Sequence, residues 1–212
     1  MIQKLPSPAR HALAALLVPA MLWASPALAA GAEDSMWPEH VEAVSDAGAE
    51  LSGLIALHLD RGGAAKEIWA LFNAPVQPLP DRLGLEGKWQ VRSLQVHEFG
   101  ANVYDYFPCE IRREGPAGLV LDKNKGSQKR IGLILGDYSE EAFLFLGGSY
   151  TTGEEARNYS GFEVDDPHAE GASDGIDRSR DSLGFMEAIG PNHLRIIFAP
   201  VEGRSEMYEL KR

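Results

Sequence analysis

Between Trp37 and Leu59 the apolar residues Val41, Val44, Leu51, Leu54, Ile55 and Leu59 fall at spacings that keep them on one face of a helix. Pro38 suits a first helical position, and Arg61-Gly62-Gly63 ends the segment. The shorter run "AAKEIWALFN" predicts a second helix ending near Asn73. Pro75, Pro78 and Pro80 then force an extended connector, which marks an organisational boundary. After Gly87 the period drops to two. Trp89, Val91 and Ser93 alternate with Gln90, Arg92 and Leu94, while Val103, Phe107, Cys109 and Ile111 share a parity against Tyr104, Tyr106, Glu110 and Arg112. A turn centred on Gly100 would set Val91 opposite Cys109 and Ser93 opposite Phe107.

Six more short runs follow: "GLVLDK", "KRIGLILGDY", "EAFLFLGGSY", "LGFMEAIG", "HLRIIFAP" and "RSEMYELKR". Gly, Pro, Asp or Asn punctuates nearly every gap. The expectation is a mainly β fold: an antiparallel, barrel-like, lipocalin-like sheet of about eight strands, preceded by an N-terminal helical pair. Parallel βαβ units are excluded, because no amphipathic helix of useful length separates the strands. Lys123 to Arg130 should cross a turn that pairs Leu119–Asp122 with Ile131–Ile134. The long polar gap from Glu154 to Ser182 reads as a flexible loop or as a lid over one end of the barrel.

Composition adds an address. Lys4, Arg10 and His11 precede the apolar stretch "ALAALLVPAMLWA", and Ala27-Leu28-Ala29 supplies a small-residue cleavage site. The stretch is too short for a bilayer span, which takes about 20 residues. The expected organisation is therefore a signal peptide over 1–29, a helical segment and connector over 30–80, and the barrel-like domain over 81–212. Export to the periplasm follows, without a stable membrane anchor. Cleavage removes Lys4 and Arg10 and no acid, so a net charge of −11 becomes −13. Such charge argues against nucleic acid as a partner and favours a monomer.

Candidate chemistry is sparse. The acidic residues Glu163, Asp165, Asp166, Glu170, Asp174 and Asp177 fail the calcium-loop pattern, and His168 is a single histidine beside them. No metal and no cofactor are expected. There is no G-x-S-x-G, and neither Ser127 nor Ser149 has a histidine nearby in sequence. Cys109, the only cysteine, shares parity with Phe107 and Ile111 and reads as a small buried hydrophobe. The one stretch against the acidic trend is "KNKGSQKR", with Lys123, Lys125, Lys129 and Arg130. It is either a hairpin turn whose lysines protect strand edges or a loop that holds a carboxylate or phosphate. In the second case Tyr104, Ser127, Gln128, Lys129 and Arg130 are the ligand-binding candidates.

Gly87-Lys88-Trp89 resembles the G-x-W opening of lipocalin-like barrels, in which the tryptophan plugs one end and a late arginine packs over it. Arg204 and Arg212 are the candidates, and Arg204 is taken with Trp89 as the barrel-closing pair. "VYDYFPCEI", "KNKGSQKRIGLIL", "FLFLGG" and "EMYEL" together resemble a family of exported bacterial proteins known as domain of unknown function 4893. The resemblance runs from about Ser35 to the C-terminus and implies export and a shared fold. It also implies that many relatives carry a cysteine where this chain has Val91, which would make Cys109 half of a lost disulfide.

The function expected from these residues is non-catalytic binding of a small apolar or amphipathic ligand, or of an envelope partner. One alternative is an envelope hydrolase with its site near Lys123–Arg130. Another is a protein-interaction module that uses the helical pair.

Overall fold

The structure is a computed structural model that describes residues 31–115 and 118–212. The signal peptide expected over 1–29 lies outside them. Nine antiparallel strands follow two helices: β1 (Gly87–His97), β2 (Gly100–Val103), β3 (Phe107–Glu114), β4 (Gly118–Lys123), β5 (Gln128–Ser139), β6 (Ala142–Thr151), β7 (Asp181–Gly190), β8 (His193–Phe198) and β9 (Arg204–Lys211). Eight of them close into a barrel in the order β1-β3-β4-β5-β6-β7-β8-β9, with β9 returning to β1. Closure leaves no long unpaired edge. β2 pairs only with the second half of β1.

The helices are α1 (Pro38–Ala56) and α2 (Ala64–Phe72), both close to their expected limits. Gly62 and Gly63 make the turn between them at φ 72° and 55°, a backbone region costly for any side chain. The apolar stripe of α1 (Ala47, Leu51, Ile55) packs with Ile68 and Leu71 of α2 on Leu94, Val96, Ile197 and Met207, on the outer wall of the barrel. Each such fully buried aliphatic contributes about 1.5–3 kcal/mol. Arg195 locks the pair in place. Its Nη1 donates to the carbonyls of Leu71 at 2.8 Å, Phe72 at 2.5 Å and Ala74 at 3.1 Å, at the end of α2 and just beyond it.

The hairpin at "KNKGSQKR" has the expected register, with Leu119 opposite Ile134 and Asp122 opposite Ile131. The opening hairpin does not. His97 pairs with Gly100, so the turn is Glu98-Phe99 rather than one centred on Gly100. Cys109 stands opposite Trp89, and Val91 opposite Phe107. Pairing slips by one residue across Tyr104-Asp105-Tyr106, between β2 and β3. That slip turns Val103 outward against the helices while Phe107 and Cys109 keep to the barrel side, although all three share a parity. The register expected to support a lost disulfide is overturned with it, because Val91 and Cys109 are diagonal neighbours and not directly opposed.

The segment after β6 is neither a free loop nor a lid throughout. Tyr159 is fully buried, and its hydroxyl accepts from the backbone N–H of Trp37 at 2.9 Å. Ser160 accepts from Trp37 Nε1 at 2.8 Å and donates to Asp181 Oδ2 at 2.5 Å. Met36, Trp37 and Tyr159 thus cover Leu144 and Leu146 on the outside of β6.

Candidate functional site

Alternation along the strands points one set of residues into the barrel. Trp89, Val91, Ile111, Leu119, Leu121, Ile134, Phe145, Met186, Ile196, Phe198, Tyr208 and Leu210 form its apolar filling. Gly132 makes room for it, since a Cβ there would stand 2.6 Å from the Phe145 ring. One end is stoppered. Trp89 Nε1 donates to the Leu85 carbonyl at 2.8 Å, and the guanidinium of Arg212 lies 4.5 Å from the Trp89 ring centre. Arg212 also donates to the carbonyls of Gly84 at 2.6 Å and Glu86 at 3.1 Å. The barrel-closing arginine is therefore Arg212. Arg204, proposed from the sequence, pairs with His97 at the opposite end and cannot reach Trp89.

At that opposite end the inward-facing residues become polar. Arg130 on β5 is 7% exposed and Glu206 on β9 is 6% exposed, and Arg130 Nη2 donates to Glu206 Oε2 at 2.8 Å. Glu206 Oε1 accepts from Ser93 Oγ at 2.6 Å and from Gln95 Nε2 at 3.3 Å. Gln95 Nε2 also donates to Gln128 Oε1 at 3.0 Å. The Arg130 guanidinium lies 3.8 Å from the Phe198 ring centre and 4.6 Å from that of Tyr208. Its Nε and Nη1 meet no acceptor. Burial raises the Glu206 carboxyl, but the Arg130 charge and the Ser93 hydrogen bond more than offset this and hold it below the usual carboxylate range.

Lys123 is a second buried cation, 4% exposed, and it lies 5.4 Å from the Phe107 ring centre. It donates to the carbonyls of Lys125 and Gln128. Burial first, and then the charge of Arg130, lowers its pKa. The lysine expected to guard a strand edge is in fact folded under the turn.

Above Arg130 the strand ends and the segment before β7 enclose a cleft of about 530 Å³. Its charged lining is Lys129, Arg130, Arg178, Arg180 and Arg204 against Asp181, Glu202 and Glu206. Cations thus outnumber acids here, in a chain with a net charge of −11. Phe198, Leu183, Ala199, Pro200 and Val201 add apolar wall. His40 and Asp181 also line it, with Nδ1 and Oδ2 3.9 Å apart. A smaller hollow of about 300 Å³ lies outside the Trp89 stopper, against Pro78, Pro80 and Arg212.

The sequence-predicted ligand residues separate. Gln128 and Arg130 join the polar mouth, and Tyr104 touches it through its hydroxyl, 3.5 Å from Gln95 Oε1. Lys129 points outward, 5.7 Å from the Tyr150 ring centre, yet borders the cleft. Ser127 is exposed at the turn and does not line the cleft. Sequence reasoning missed Glu206, Ser93, Gln95 and the arginines of the segment before β7. For Glu206, Ser93 and Gln95 the signal was a polar residue on the inward parity of β1 and β9, readable only once the register is known. Cys109 is inert: burial pushes its thiol up to about 12.

A different charged knot sits on the outer wall. Glu209 Oε2 accepts from Arg92 Nε at 2.5 Å and from the Tyr106 hydroxyl at 2.6 Å. Its Oε1 lies 2.7 Å from both Lys211 Nζ and His193 Nε2. Burial raises this carboxyl, but the hydrogen bonds from Lys211, Tyr106 and Arg92 bring it down to about 2. Arg92 also reaches Glu67 at 2.7 Å and so ties α2 to the barrel.

Residues 57–210 match the family described as Domain of unknown function (DUF4893), and the chain belongs to that family. No curated protein and no solved structure matches it. Among the described residues, no helix is long and apolar enough to cross a membrane, and no group of His, Cys, Asp and Glu is placed to hold a metal ion.

Proposed function

We propose that this chain is an exported envelope protein of the periplasm that binds a small amphipathic molecule in the mouth of its barrel, without catalysing a reaction. The observation that carries the reading is the asymmetry of the barrel: one end is stoppered by Trp89 and Arg212, and the other opens into the 530 Å³ cleft. That volume lies within the usual range for small-molecule sites, about 300–1,000 Å³. The wall combines apolar residues with a few fixed polar groups, as a ligand with both characters requires. Because the lower barrel is filled by its own side chains, the ligand sits at the mouth and is not swallowed.

The hydrolase alternative, with its site expected near Lys123–Arg130, finds Ser127 exposed at that turn and outside the cleft; the cleft's edge does hold a histidine–carboxylate approach, His40–Asp181. The hydroxyls hydrogen-bonded to that pair, Tyr159 on His40 and Ser160 on Asp181, are not free to attack a substrate. Ser160 is buried between Trp37 and Asp181, and Tyr159 is buried with its pKa raised first by that burial. Native mass spectrometry of protein taken from its own periplasm tests the binding reading. A co-purifying small molecule supports it, and a stable protein partner with the barrel mouth unprotected overturns it.

A further inference from the structure

We infer that the ligand carries an oxyanion, a carboxylate or a phosphate, and that Arg130 at the floor of the cleft and Arg204 at its rim receive it; this rests on the ligand-binding reading above. The first argument is charge balance inside the barrel. Lys123 and Arg130 are both buried, and Glu206 is the carboxylate buried with them. Buried charge is costly unless it is paired, and two cations sharing one carboxylate leave room for a second anion.

The second argument is the state of Arg130 itself. Glu206 uses only Nη2, while the N–H groups of Nε and Nη1 are buried and have no acceptor. Their desolvation has already been met in the folded protein, so an oxyanion reaching them strips no solvent from the guanidinium. The rings of Phe198 and Tyr208 pack against the guanidinium and limit where it can turn. Hydrogen bonds between such a donor and an ionised oxygen are the strong class.

The third argument is the rim. Arg204 stands two residues before Glu206 on β9, on the same face of the strand, and its positive charge acts on both Glu206 and Tyr208. Arg178 and Arg180 are paired with Glu39 and Glu154, so they shape the rim without being free for a ligand. The apolar wall from Phe198 to Val201 lies beside these cations. A short hydrocarbon chain with an anionic head fits both parts.

Titration calorimetry on the full exported chain, with octanoate, octyl phosphate and octanol as probes, tests this. At least one of the two anions is expected to bind about tenfold or more tighter than octanol, the worth of a charge-assisted hydrogen bond. Octanoate preferred over octyl phosphate assigns a carboxylate, and the reverse a phosphate. Arg204→Gln, a half-exposed rim change that leaves the fold intact, should weaken the anion about fivefold and leave octanol unchanged. Arg130→Gln should remove the anion preference. Octanol binding as tightly as both anions overturns the oxyanion inference and leaves the ligand-binding barrel standing. No binding of any probe overturns both. An anion preference untouched by Arg204→Gln and Arg130→Gln also overturns the assignment.

Discussion

The two ends of this barrel are built from the same alternation of inward and outward residues, and they solve closure in opposite ways. At the stoppered end an indole fills the bore, its one polar atom satisfied by the Leu85 carbonyl, and Arg212 closes over it from outside. At the open end the inward positions hold Ser93, Gln95, Lys123, Arg130 and Glu206, and their hydrogen bonds do not close. Apolar packing completes itself, whereas a polar cluster is complete only when every donor and acceptor is matched. The end left incomplete is the end that opens into a cleft.

Removing the stopper should have the largest effect. Trp89→Ala is expected to cost about 3–5 kcal/mol, as other large-to-small core changes do, and chemical denaturation will read it. The loss should be the same at pH 7 and pH 4, because no titrating group is involved. A cost below about 1 kcal/mol would mean that the indole is not what closes the bore.

Arg130→Met breaks the other end and should behave differently. It leaves Glu206 buried without its cation, for an expected cost of about 3 kcal/mol at neutral pH. Glu206 has a depressed folded-state pKa, so its contribution is fully present above the ordinary carboxylate pKa and is lost as pH falls through the folded value. The gap between wild type and Arg130→Met should therefore narrow in acid, while the Trp89→Ala gap does not. Adding Glu206→Met to Arg130→Met should recover part of the stability, because the unpaired carboxylate is then gone. A gap that stays constant from pH 7 down to pH 3 would show that the pair is not what the acid side titrates.

The contrast between the ends also explains what could be read from the sequence. The helices and the "KNKGSQKR" hairpin were legible because each is a local pattern with clear stop signals. The register of that hairpin followed from the single turn that joins its strands. The barrel mouth was not legible, because alternation alone assigns polar residues to the outside, and Arg130, Glu206 and Lys123 break that assignment. The one-residue slip at Tyr104–Tyr106 has no local signature, yet it decides which face Val103 takes. Arg204 and Arg212 were indistinguishable until β9 had a direction relative to Trp89.

A smaller effect belongs to the outside of the stopper. Arg212→Ala removes a stacked cation and two hydrogen bonds to carbonyls from a solvent-exposed position, for an expected loss of about 1 kcal/mol. Arg204→Ala should change stability by less, since Arg204 stands away from Trp89. Thermal unfolding of the two variants side by side ranks them. Arg204→Ala as the more destabilising of the two would return the closing role to the residue first chosen for it.

The smallest expected effect is the sharpest test of register. Val91 faces Phe107, and Cys109 faces Trp89, so Val91 and Cys109 are diagonal neighbours on the barrel side of β1 and β3. Diagonal positions on adjacent strands lie about 7–8 Å apart, whereas a disulfide spans Cβ atoms about 3.5–4.5 Å apart. Val91→Cys trims the side chain by about one methyl group and should cost about 1 kcal/mol or less. Both thiols should stay reduced in exported protein and resist labelling until it unfolds, as the native thiol does with its pKa pushed up to about 12. Mass spectrometry after alkylation under native and denaturing conditions reads this directly. A bridge between the two cysteines would shift β3 by two residues against β1. It would set Val91 opposite Cys109 after all, and remove Trp89 from its place across the strand.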